Sequence, residues 1–285
     1  MKTIYLNLKR FDVPVEMGGV NRLAPVSGWG KTIVEGTQEE LKRFLPEKAS
    51  FVMFFPEAHL LSAAAALAKD SPVKIGCQGV YREDTAVGGN FGAFTTNRPA
   101  SVARAMGCEA VLIGHCEERR DKAGILAEAC VQDPAAVNRL LNKEVKAAVN
   151  RGMHVLYCVG ETMEEQPRWQ EVLREQITVG LQGVDTANVA IAYEPVWAIG
   201  PGKTPPGPEY ITKIARFLKE TTGGLPVSYG GGLKADNAQM LAGIAEIDGG
   251  LIALTRFSGE IGFYPGEYIQ IIDLYLKGAS HEVIV

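Results

Sequence analysis

Eight short apolar, β-rich runs recur along this 285-residue chain, at residues 3–8, 50–55, 73–78, 110–114, 154–159, 189–193, 227–229 and 251–254, with helical patterns between them. Strands this short and this apolar belong in a parallel sheet buried on both faces. Alternation with helices supplies the cover, and eight repeats at this length predict an α/β fold closed into a (β/α)8 barrel, eight parallel strands ringed by helices. No linker rich in Gly, Pro or Ser divides the chain, so residues 1–285 read as a single domain. One helix is legible in detail. Asp133-Pro134 offers a cap and a first-turn proline, an amphipathic run continues through Arg151, and Gly152 ends it.

In such a barrel the active site lies at the carboxyl ends of the strands, and polar residues there need an explanation. The first strand ends in Asn7-Leu8-Lys9, the fourth in Gly114-His115, the sixth in Glu194 and the seventh in Tyr229-Gly230-Gly231-Gly232. Behind Glu194 runs Pro195-Val196-Trp197-Ala198-Ile199-Gly200-Pro201-Gly202-Lys203-Thr204. Pro195 biases Glu194 towards an extended backbone and ends the strand. The segment from Val196 onwards is too apolar for an ordinary solvated loop and predicts a lid. A carboxylate held against that lid is poorly solvated, which raises its proton affinity and suits it to removing a carbon-bound proton. His115 opens a helix whose N-terminus disfavours positive charge, so its imidazole is expected neutral, a hydrogen-bond donor to a carbonyl oxygen. Two connections, residues 10–30 and residues 80–97, are too long for idle turns.

Composition narrows the partners. A net charge of -4, with 29 basic residues spread along the chain, leaves no footprint for nucleic acid, so an anionic ligand must be held by a local site. No apolar run reaches the roughly 18 residues that span a bilayer, and the charged start of the chain speaks against a secretory signal. Five cysteines without a Cys-x-x-Cys pair read as reduced thiols of a cytoplasmic protein.

The stretch from Ala192 to Thr204 resembles the signature of the triosephosphate isomerase family, departing from it at Pro201, where a small polar residue is usual. Gln78-Gly79-Val80-Tyr81 and Cys158-Val159-Gly160-Glu161 extend the resemblance from Asn7 to about Lys277. It implies a TIM barrel that interconverts dihydroxyacetone phosphate and glyceraldehyde 3-phosphate through an enediolate, with no metal or cofactor. Glu194 would carry the proton and His115 would polarise the oxygens. Lys9 would supply a fixed positive charge to the substrate phosphate and a developing oxyanion, with Glu117 as its partner, and Asn7 would orient Lys9 or touch the substrate. The lid would exclude water. Gly92-Ala93-Phe94-Thr95 would reach into a second subunit, making a homodimer.

Departures from the family pattern gather at the substrate end. Leu8 replaces a tryptophan, and Cys116 replaces a serine, with one additional acid following. At the eighth strand, Ala253 and Leu254 stand where a Gly-Gly pair is usual, and Thr255-Arg256 come next. The phosphate is therefore expected at the backbone of Gly200, Gly231 and Gly232, with Arg256 as a guanidinium partner. Changes gathered round one ligand also fit an isomerase of a longer, four-carbon ketose phosphate. A catalytically silent binding barrel is the third reading, against which the retained Lys9, His115 and Glu194 argue.

Overall fold

The first strand pairs with the last, closing the sheet in the order β1-β2-β3-β4-β5-β6-β7-β8 with every pairing parallel. The computed structural model describes residues 1–279 apart from Gln132, Pro134, Pro201 and Gly202. Its strands are β1 (Lys2–Asn7), β2 (Ala49–Phe55), β3 (Val73–Cys77), β4 (Ala110–Ile113), β5 (His154–Val159), β6 (Val189–Tyr193), β7 (Val227–Tyr229) and β8 (Gly249–Ile252). The helices are α1 (Trp29–Glu35), α2 (Gln38–Leu41), α3 (Leu60–Ala65), α4 (Ala100–Ala105), α5 (Cys116–Glu128), α6 (Ala136–Asn150), α7 (Trp169–Gly180), α8 (Pro208–Thr222), α9 (Ala238–Ala242) and α10 (Pro265–Ala279).

Side-chain alternation along the strands makes two cores. Ile4, Leu6, Phe51, Met53, Ile191 and Ile252 face the helices, whereas Tyr5, Val52, Phe54, Leu112, Leu156 and Leu251 fill the barrel itself. The interior is thus packed, and chemistry is confined to its rim.

Two expectations shift. The eighth strand begins and ends two residues before the apolar run at 251–254, because Gly249 and Gly250 pair with Thr3 and Ile4 of β1. A Cβ on Gly249 would stand 2.0 Å from the Thr3 carbonyl oxygen, so this seam admits only glycine. The helix expected from Asp133 begins at Ala136; Asp133 accepts a hydrogen bond from the Ala135 N–H, and Pro134 lies outside the described residues. Gly152, with φ +68°, follows the helix end as expected.

Candidate active site

The base and the imidazole meet across the barrel mouth. Glu194 directly follows β6 and is 2% exposed. Its Oε2 accepts the main-chain N–H of Cys116 at 2.8 Å, and its Oε1 lies 3.3 Å from His115 Nε2. Burial pushes its pKa up to about 7, against the pull of the Cys116 N–H and the Lys9 charge. A carboxylate poised there is free to accept a proton and return it near neutrality.

His115 caps α5, its Nδ1 accepting the Glu117 N–H at 3.3 Å. That bond places the proton of a neutral ring on Nε2, the nitrogen facing Glu194 and the cavity. Burial, aided by the charge of Lys9, lowers the imidazole to about 4, so the ring donates without being charged. His115, Cys116 and Glu194 bring ligand atoms within 4.8 Å of one another. A cation bound there would have to take the Nε2 position, driving the proton to Nδ1 against the Glu117 N–H, so the donor set does not suit a resident metal. The thiol of Cys116 is pushed up to about 12 by burial and by Glu194, which makes it a poor nucleophile.

Lys9 stands at φ +41°, a left-handed backbone that a non-glycine residue adopts only when its surroundings hold it. Asn7 is 3% exposed and accepts the Lys9 N–H on Oδ1 at 3.1 Å. Gln78 Nε2 donates to the same Oδ1 and to the Lys9 carbonyl. Further along, Arg10 grips Asp12 through Nε at 3.0 Å and Nη2 at 2.8 Å, and His59 Nε2 lies 3.1 Å from Asp12 Oδ2. Burial opposes the charge on Asp12, yet Arg10 and His59 hold its carboxyl below the ordinary range. The long first connection thus begins as an anchored turn.

The expected charge pair of Lys9 with Glu117 is not formed: among the described residues no carboxylate lies within 4 Å of the Lys9 ammonium. Glu117 is exposed on the first turn of α5, where water competes for its carboxylate, and its contribution to the site is the N–H given to His115. Lys9 and Glu117 nevertheless line the same cavity, of about 1090 Å³, with His115, Cys116 and Val196. The extra acid does not disturb the helix register, since α5 runs unbroken. Glu118 turns inward, accepting the Gly114 N–H at 2.6 Å and pairing with Lys122, which also holds Glu144 at 3.0 Å. Arg119 adds bonds to the Gly114 and Cys158 carbonyls. The start of α5 is therefore clamped from several sides, although the helix buries none of its residues.

In the lid, residues Val196–Ala198 form one 3-10 turn, with Pro195 and Ala198 buried and Ile199 partly so, and Gly200, Lys203 and Thr204 exposed. Pro201 and Gly202 lie outside the described residues. Trp197 Nε1 donates to Glu161 Oε1 at 2.8 Å, an oxygen that also accepts from Tyr193 and Tyr210.

At the opposite side of the mouth, the N–H groups of Gly231 and Gly232 have no acceptor among the described residues, and neither do those of Ala253 and Leu254. Ala253 and Leu254 do not need the left-handed backbone, so their side chains leave the main-chain donors intact. Arg256 is engaged by a neighbouring carboxylate. Its Nε and Nη2 both donate to Glu267 Oε1, at 2.8 and 2.5 Å, and its guanidinium lies 4.0 Å over the Tyr264 ring. Two of its donors are thus taken by one carboxylate oxygen, and the pair braces the loop after β8. Thr95 is exposed in the 80–97 connection.

A buried carboxylate that ionises near neutrality, facing a neutral imidazole at the strand ends of a parallel barrel, defines an isomerase that moves protons next to a carbonyl group. The family follows from the sequence: residues 30–261 match the family model of triosephosphate isomerase, and the chain belongs to that family. It is 35% identical over 217 residues to the triosephosphate isomerase of Chlamydia trachomatis, covering 72% of each chain. With that of Synechococcus sp. it shares 32% over 224 residues, 75% of this chain and 84% of the relative. With that of Chlorobium phaeobacteroides it shares 39% over 172 residues, 56% and 64%. The solved triosephosphate isomerase of Bartonella henselae has the same fold, with a TM-score of 0.69 over 96% of this chain and 98% of its own at 23% identity. Among the described residues no helix is long and apolar enough to cross a membrane.

Proposed function

We propose that this chain interconverts dihydroxyacetone phosphate and glyceraldehyde 3-phosphate, with Glu194 as the base. The ionised carboxylate takes a proton from C1 of the ketose phosphate, and the C–H electron pair moves into an enediolate. Protonated Glu194 returns the proton to C2 while the C1 hydroxyl gives up its proton and the C2 oxygen gains one, both exchanged at His115 Nε2, leaving the aldehyde and a C2 hydroxyl. His115 donates Nε2–H to the oxygens as they gain charge, and Lys9 supplies the fixed positive charge. Asn7 holds Lys9 in its left-handed turn. The N–H groups of Gly231 and Gly232, and of Gly200 in the lid, receive the phosphate. Residues Pro195 to Thr204 close over the site, keeping water from the enediolate.

The single observation that carries this reading is the Glu194–His115 pair, one group raised towards neutrality and the other kept uncharged. A glutamate base working with a neutral histidine is the established pattern of this family, and the groups surrounding the pair in this chain support the same chemistry. A homodimer held by the 80–97 connection is part of the proposal, as is a cytoplasmic location, which five unpaired cysteines support. A coupled assay that offers triose and four-carbon ketose phosphates side by side tests it: turnover of the triose phosphates is expected, and turnover of the four-carbon sugar alone would overturn it.

A further inference from the structure

After β7 the chain turns through Gly230-Gly231-Gly232, and Asn237 fixes the shape of the turn beyond. Its Nδ2 donates to the Gly232 carbonyl at 2.9 Å and its Oδ1 accepts the Lys234 N–H at 2.8 Å. The Lys234 stem is thereby laid along Gly232, with Cε 3.4 Å from where a Cβ on that glycine would stand. Its ammonium lies 4.3 Å from the centroid of the Phe257 ring, which belongs to the loop after β8. One cation thus spans the loops after β7 and β8, whose N–H groups at Gly231, Gly232, Ala253 and Leu254 have no acceptor among the described residues.

The charges around it single Lys234 out. Arg256 is matched by Glu267, whereas among the described residues no carboxylate lies within 4 Å of the Lys234 ammonium. Asp236 and Glu260 are exposed. The chain as a whole is acidic, with a net charge of -4, and the single positive charge of Lys9, shared with the enediolate, leaves a phosphate dianion incompletely balanced. An ammonium held on an aromatic face keeps its charge available while losing little freedom on binding.

We propose that Lys234 is a second counter-cation of the substrate phosphate, beside Lys9, positioned by Asn237 and the ring of Phe257. The inference rests on the phosphate end assigned under the proposed function. It gives this chain a charged phosphate ligand where the sequence pointed to Arg256.

Calorimetric titration of the full-length protein with inorganic phosphate tests Lys234 without reference to turnover. Lys234→Met is expected to weaken binding by about tenfold or more, the loss of one charge-assisted contact, and Lys234→Arg to retain most of it. Arg256→Ala is expected to keep the wild-type affinity. Circular dichroism and melting of each variant separate a lost contact from a lost fold. Unchanged phosphate affinity in Lys234→Met would overturn the proposal and leave Lys234 a surface lysine resting on a ring; so would a wild type that binds no phosphate. If phosphate binding depends on Lys234 while triose phosphates are not turned over, the site stands and the substrate reading falls.

Discussion

Cys116 gives its main-chain N–H to Glu194 Oε2 at 2.8 Å while the ring of His115, the preceding residue, faces Oε1 of the same carboxylate at 3.3 Å. The base and the oxygen-polarising group are therefore registered through one helix start, and a displacement of that start moves both relative to the substrate. Catalysis of this kind is sensitive to such displacements, because reacting atoms must be held near contact distance.

Glu194→Gln should lower turnover by roughly 10²–10⁴-fold, the usual loss for a general base. It should also change stability in the opposite sense. With its folded pKa raised from 4.5 to about 7, the folded protein holds this proton more tightly than the unfolded chain. Burying the ionised group then costs on the order of 3 kcal/mol above pH 7, a cost that falls away as pH drops to 4.5. Melting temperatures from pH 4.5 to 8 should show wild type losing ground to the variant as pH rises. A gap independent of pH would remove the buried charge from the account.

His115→Gln should reduce kcat more than it raises KM, since the Nε2–H serves charge that grows only in the transition state. With the ring lowered to about 4, its NMR signals should stay at the neutral position from pH 8 down to pH 5. A titration centred near 6.5 would show a solvated imidazole instead.

The alternation of strands and helices is legible in the sequence because apolar runs and caps are local signals, and so are Glu194, His115 and Lys9, which stand where a strand stops. The eighth strand reads two residues late. Gly249 and Gly250 look like turn residues, but they line a seam against β1 that only long-range pairing reveals. Asp12 and His59 are 47 residues apart, and no local pattern joins them. Arg256 shows the same limit: it reads as an available cation, and only the fold shows that Glu267 occupies it.

Trp197→Phe removes one of three donors to Glu161 Oε1, a bond that ties the first turn of the lid to the end of β5. A lid less firmly seated should cut kcat by roughly tenfold, the worth of a hydrogen bond to a carboxyl group. It should also release more inorganic phosphate per turnover as water reaches the enediolate. A phosphate-release assay beside the isomerase assay checks both, and an unchanged ratio would mean that this bond does not govern the seal.

Gly230→Ala should impair the base without touching it chemically. A Cβ at this position would stand 2.9 Å from Glu194 Cγ and 2.8 Å from the Tyr193 carbonyl oxygen, so the carboxylate must shift. Turnover is expected to fall on the order of 10²-fold for a displacement approaching 1 Å. Kinetics at saturating substrate, with a melting curve to confirm folding, decide the matter.

Phe91 is 89% exposed and Val87 is fully exposed in the 80–97 connection, apolar surface that a second subunit would cover. Phe91→Glu should shift the protein from dimer towards monomer in analytical ultracentrifugation. A wild type that sediments as a monomer at micromolar concentration would count against the dimer.

Thr3 pairs with Gly249, so the sheet is sealed between the first strand and the eighth, which lie far apart in the sequence. Until the eighth strand leaves the ribosome, the first has one side unpaired, an open edge able to recruit strands of other chains. Contacts this distant in sequence are also slow to form, because the intervening loop must be closed before they contribute anything. A substitution that spares every catalytic group but thickens the Gly249 seam would therefore be felt during biosynthesis, as aggregated chains and a low yield of otherwise normal enzyme.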